Sequence, residues 1–134
     1  MQTALIVALS LHILSLVFWA GTSFALARTG GAGGELLFRP QMAAAVIAVL
    51  SGGYLGHLVH AGLFGTTEQV LIAGAVAALA AAGIQGAIGG RAIRSLRHGT
   101  SDEAGARSRI ALAQRVAAVL LAVTAVCMVT ARYI

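Results

Sequence analysis

The sequence predicts an all-α protein, an up-down bundle of four transmembrane helices. Three observations carry this expectation. Hydrophobic residues make up 59% of the chain and charged residues only 10%, several apolar stretches are long enough to cross a bilayer, and nearly all arginines crowd into two connecting segments. A soluble domain carries roughly 25% charged residues, and a 134-residue chain folding in water could not bury this much apolar surface. Lipid is the alternative solvent. There, only helices and closed barrels satisfy their backbone groups, and the unbroken apolar runs lack the alternation of a barrel strand.

A hydrocarbon core of about 30 Å takes roughly 20 residues of helix. The first stretch covers about residues 3–26. Ala25-Leu26-Ala27 resembles a signal-peptidase site, but no Lys or Arg precedes Arg28. The apolar run also exceeds the ~7–15 residues of a signal peptide, so a retained helix is expected. The second covers about residues 40–61 and begins at Pro40, a residue suited to the first turn of a helix. The third covers about residues 69–90, between Glu68 and Arg91. The fourth covers about residues 110–134: an apolar run from Val116, extended backwards through Arg115 and Gln114. Its polar lead-in reaches towards Ser101, a suitable N-cap, with Asp102 and Glu103 in the first turn. A glycine run at residues 29–34 and a short segment at 62–67 join the first three helices. Residues 1–134 therefore form a single transmembrane domain with no space for a soluble one.

The chain has no lysine. Arg28 and Arg39 flank the first loop, Arg91, Arg94, Arg97, Arg107, Arg109 and Arg115 flank the third, and only Arg132 lies at the other end. Cytoplasmic loops carry the Lys/Arg excess. Both termini and the middle loop are thus expected on the outer, non-cytoplasmic side of the cell inner membrane. The net charge of +5 is topology information; without interleaved aromatics it does not describe a nucleic-acid surface. A single cysteine, Cys127, excludes an internal disulfide and a Cys-based zinc site. Gly52-x-x-x-Gly56 and Gly86-x-x-x-Gly90 permit close backbone approach, within the bundle or at a homodimer seam.

Polar groups at membrane depth are costly and mark functional candidates. Counting inward at ~1.5 Å per residue from boundaries at Leu26, Gln41 and Arg115, His12 and Met128 fall roughly 9 Å below the outer surface. His57 falls roughly 6 Å below it and His60 at the interface, with Cys127 beside Met128. Donors from three helices are thus expected in one layer. His57 and His60, three apart, share a helix face, and Gly52, Gly53 and Gly56 below them leave a hollow. Imidazole and thioether donors suit copper; an axial histidine with space for a macrocycle suits haem b. Trp19 and Tyr54 are expected to pack inside the bundle, Gln85 and Gln114 to bond across helices, and Arg115 to snorkel to the interface. Glu68 is expected to act as a favourable charge at a helix N-terminus. No nucleophile–base pair or phosphate loop is visible, so no catalytic residue is assigned.

Leu11-His12, with Trp19 seven residues after the histidine and then Gly21, reads L-H-x6-W-x-G. This resembles the opening helix of the CopD-type copper-resistance membrane domain and is similar to that of the HemJ-type protoporphyrinogen oxidases. The resemblance implies that His12 is a ligand, for copper in the first family and for haem in the second. HemJ-type proteins also carry a lysine and a histidine in the third helix; here there is no lysine, and Gln85 stands in roughly that region. The expectation is therefore a small membrane protein that binds haem b or copper through His12, His57, His60 and Met128, for electron transfer or metal handling. The alternative is a non-catalytic accessory subunit of a larger membrane complex, and a HemJ-like oxidase is a distant third.

Overall fold

The computed structural model describes residues 1–100 and 102–134, and these contain no β-strand. α1 spans Gln2–Arg28, α2 Gly34–His60, α3 Thr66–Ile84, α4 Gly90–His98 and α5 Glu103–Tyr133. A π-helical turn, Gln85–Gly89, joins α3 to α4. α3, the π turn and α4 run on as one rod, so four rods are long and apolar enough to cross a membrane. One end of the bundle carries both termini and the α2–α3 turn; the other carries the arginine-rich connections.

The boundaries differ from expectation at three places. α2 starts at Gly34, six residues before Pro40. The glycines make this geometry available: Gly30, Gly31 and Gly33 adopt positive φ of 66°, 87° and 86°, values that cost an L-residue strain and glycine nothing. The chain therefore reverses in five residues rather than unwinding up to the proline. Pro40 lies within the helix, where its missing N–H leaves the Leu36 carbonyl without its usual donor. Leu36 is 83% exposed at the arginine end, where water can serve instead.

The third rod does not stop at Gly90 but continues to His98, where Gly99 closes it with φ 63°. Burial of Ala92 and Ile93 against Ala106 and Ile110 of α5 supports this extension, while Arg91, Arg94 and Arg97 face outwards. Finally, Asp102 caps α5, its carboxylate accepting the Gly105 N–H at 3.2 Å. Ser101, the expected cap, lies outside the described residues.

α1 packs along α2, α3 along α5, and α1 against α5 links the two pairs, while α2 and α3 touch little. The centre is one large ring surrounded by small side chains. Trp19, fully buried, meets Ala44, Ala45 and Ala48 of α2, Ala78 and Ala81 of α3, and Ala117 of α5. Short side chains let helix axes approach, which is how bundles associate where the solvent is as apolar as the protein. One close approach involves Gly74 of α3: a Cβ there would lie 3.0 Å from the Cys127 Cβ. Thr124 Oγ1 donates to the Gly74 carbonyl at 2.9 Å. Of the two glycine pairs picked out by spacing, one member of each meets a side chain of a neighbouring helix and the other does not. Gly52 meets the His12 ring and Gly90 the Phe38 ring, while Gly56 and Gly86 face open space. Leu14, Leu50, Val76, Val119 and Val126 are all more than 45% exposed, an exterior consistent with a lipid environment.

Candidate functional site

His12 stands on α1 facing α2. Its Nδ1 lies 2.9 Å from the Ala48 carbonyl oxygen and 3.2 Å from Ser51 Oγ. The Ser51 hydroxyl donates to backbone carbonyls of its own helix, at 2.6 Å to Ile47 and 3.2 Å to Ala48. Ser51 Oγ and the Ala48 oxygen are then both acceptors facing His12, which assigns the hydrogen to Nδ1 and the lone pair to Nε2. Gly52 makes the seat: a Cβ there would lie 2.8 Å from His12 Cε1. A groove of roughly 680 Å³ between α1 and α2 is lined by Val7, Leu11, Ile47, Leu50, Ser51 and Tyr54, among others; it reaches Ser51 but His12 does not line it. Tyr54 forms part of this outer wall and is 46% exposed, contrary to the expected packing inside the bundle. Trp19 is buried as expected.

The other expected ligands do not gather around His12. His57 lies five residues beyond Gly52, about 7.5 Å further along the α2 axis, and is exposed. His60 Nδ1 is 2.8 Å from Glu68 Oε1, and the second Glu68 oxygen accepts the Gly65 N–H at 2.8 Å. Glu68 thus braces the α2–α3 turn, beyond the expected favourable charge at the start of α3. Met128 and Cys127 are half-buried on α5, and Cys127 adjoins Gly74 of α3. Among the described residues, no three of His, Cys, Asp and Glu come together as metal ligands.

The reason is a register difference. The common layer assumed Gln41 level with Leu26, whereas Gln41 bonds Thr22 and Ser23. That slip of three to four residues moves α2 by about 5 Å relative to α1 and carries His57 past His12.

Gln41 belongs to a second constellation. The Trp19 indole donates to Gln85 Oε1 at 2.6 Å, and Gln85 Nε2 donates to Ser23 Oγ at 2.7 Å and Gln114 Oε1 at 2.9 Å. Gln114 Nε2 donates to Gln41 Oε1 at 3.0 Å, and Gln41 Nε2 returns a bond to Gln114 Oε1 at 3.1 Å. Gln41, Gln85, Ser23 and Trp19 are 0% exposed and Gln114 is 3% exposed. The network joins α1, α2, α5 and the start of the π turn, and leaves no buried side-chain polar atom unpartnered among the described residues. That Gln85 and Gln114 bond across helices was expected; that they bond to each other, and the parts of Gln41 and Ser23, were not. A lone amide in an alanine-rich run was the available signal for Gln41, but starting α2 at Pro40 made it read as a boundary residue. Amides neither titrate nor attack at ordinary pH, so this network holds helices rather than performing chemistry.

At the arginine end, Arg107 ties the first loop to α5. Its Nη1 donates to the Gly31 carbonyl at 3.0 Å and to Glu35 Oε2 at 2.8 Å, and its Nη2 pairs with the other Glu35 oxygen. Arg115 is exposed.

Comparison with protein-family models, with curated proteins and with solved structures gives no match to this chain.

Proposed function

We propose that this chain is a multi-pass protein of the cell inner membrane, its termini on the outer side, that holds a haem b through His12 for electron transfer. The observation that carries the proposal is the seating of His12. An imidazole whose Nδ1–H is committed to a backbone carbonyl presents Nε2 in a fixed orientation, the arrangement typical of metal-binding histidines. The α1–α2 groove, which reaches Ser51, the partner of His12, but is not lined by the imidazole itself, is predominantly apolar. Haem, when bound, supplies one-electron chemistry. The residues here orient the ligand, exclude water from one side and hold the helices in register.

The L-H-x6-W-x-G resemblance supports the same residue: His12 reaches the α1–α2 seam while Trp19, two turns on, fills the core. Copper is the weaker reading. It draws on His12, His57, His60 and Met128 together, whereas His57 is exposed and His60 is engaged by Glu68. A non-catalytic accessory subunit is the second reading, favoured by the glutamine network, whose buried polar atoms are all satisfied by one another and by neighbouring side chains.

Ligand titration separates these readings. Haemin added to the protein in mild detergent is expected to give a saturable Soret band, and copper no stoichiometric binding. Stoichiometric copper that is lost in Met128→Ala would replace the haem reading. Binding of neither, with a partner retained through purification, would favour the accessory subunit.

A further inference from the structure

Ser51 is the only serine or threonine in α2. A serine inside a helix turns its hydroxyl back to a carbonyl three or four residues earlier, and Ser51 does so. Its Oγ–H donates to the Ile47 carbonyl at 2.6 Å, with the Ala48 carbonyl at 3.2 Å. A hydroxyl has one hydrogen, so Ser51 presents only lone pairs towards α1, and the Ala48 carbonyl presents the same. His12 Nδ1 faces both, at 2.9 Å from the Ala48 oxygen and 3.2 Å from Ser51 Oγ. A ring with its lone pair at Nδ1 would meet two acceptors with no hydrogen between them. α2 therefore selects the Nδ1–H tautomer.

The two acceptors play different parts. The Ala48 carbonyl is a single point, and a ring bonded to one point still turns about it. Ser51 Oγ supplies a second point, and Gly52, where a Cβ would lie 2.8 Å from His12 Cε1, closes a third side. The nearby Ser15 hydroxyl donates to the backbone carbonyl of His12 at 3.1 Å and leaves the ring to α2. His12 Nε2 has no hydrogen-bond partner among the described residues. No buried side-chain polar atom is unpartnered there either, so this nitrogen is open to an incoming group. Ser51 also lines the α1–α2 groove, which makes it the contact between groove and ring. We infer that Ser51 is the positioning residue of this site: it fixes the tautomer and plane of the His12 imidazole, and thereby how tightly Nε2 holds a haem iron. The first part stands on the hydrogen bonds alone; the second rests on the haem reading. Groups that hold the other nitrogen of a metal-binding histidine typically change affinity by ~10–100-fold when removed.

The test compares Ser51→Thr, which keeps the hydroxyl, with Ser51→Val, which keeps the shape of threonine without it, and with Ser51→Ala. Each full chain is studied in mild detergent by nuclear magnetic resonance of its isotope-labelled histidine ring nitrogens and by haemin titration. The His12 signals are those lost in His12→Ala. The wild type and Ser51→Thr are expected to show a single His12 tautomer with the hydrogen on Nδ1. Ser51→Val and Ser51→Ala are expected to show both tautomers in exchange, and to bind haemin on the order of tenfold more weakly. Helical circular dichroism is expected to be the same in all four proteins, which separates positioning of the ring from loss of fold. A single Nδ1–H tautomer retained in Ser51→Val and Ser51→Ala would mean that the Ala48 carbonyl suffices, and would overturn the inference. Threonine behaving like valine would overturn it too. A wild type that takes up no haemin, with a tautomer that still follows the hydroxyl, would overturn the haem reading and support Ser51 as the residue that positions His12.

Discussion

Gly52 and His12 are matched by contact: the glycine's missing side chain is the space the imidazole ring occupies. Gly52→Ala is expected to push the ring away from the Ala48 carbonyl, at about 1–3 kcal/mol of stability, the usual cost of overpacking. It should also weaken haem binding. His57→Ala, at an exposed position off the site, should change neither. Thermal unfolding and haemin titration of the two variants check this. His12 itself was legible in the sequence because an imidazole inside an apolar run has no cheap explanation. Its partner was not legible, because nothing local states which α2 residue lies opposite. His57 and His60 attracted attention by spacing alone, and the register places them towards the termini, where His60 braces a turn with Glu68.

The π turn is the element that delivers Gln85. Widened turns of this kind re-aim side chains and recur at functional places in helices; here the turn begins at the one residue that touches the Trp19 indole, Ser23 and Gln114 at once. Gln85→Leu would leave the indole N–H without its acceptor. Orphaned buried groups cost about 1–3 kcal/mol each, although bonds between membrane helices average only about 0.6 kcal/mol. A loss of about 2 kcal/mol is expected, read as the shift in an unfolding titration in mixed detergent. Gln85→Leu combined with Gln114→Leu should cost less than the sum, since the two share partners; strict additivity would mean that the amides act independently. Pro40 is the element-level case where local sequence misled. Proline favours a helix start, but the glycines before it allowed an earlier one, and the misplaced start shifted the register expected for the whole second helix.

Four spans were readable from length and apolarity because lipid imposes both. Their arrangement was not. Each helix is apolar on nearly every side, so periodicity does not mark which face meets which neighbour. The pairing is set instead by where small residues allow approach, at Gly74 and around Trp19, and by the scattered amides. The arginine bias belongs to this scale too. Eight of the nine arginines lie at one end of the bundle, with Arg132 at the other, so the proposed orientation places that end in the cytoplasm. A C-terminal alkaline phosphatase fusion should be active and a C-terminal green fluorescent protein fusion dark; the reverse pattern would invert the topology and move His12 to the cytoplasmic half.

The most direct test of the central claim is the absorption spectrum of the wild type and His12→Ala, purified side by side in mild detergent, oxidised and then dithionite-reduced. A Soret band with sharpened α and β bands on reduction is expected in the wild type. It should be absent from His12→Ala at unchanged helical circular dichroism. A featureless wild-type spectrum together with added haemin that keeps the Soret band of free haemin in detergent, or a bound-haem band that survives His12→Ala, would contradict the account.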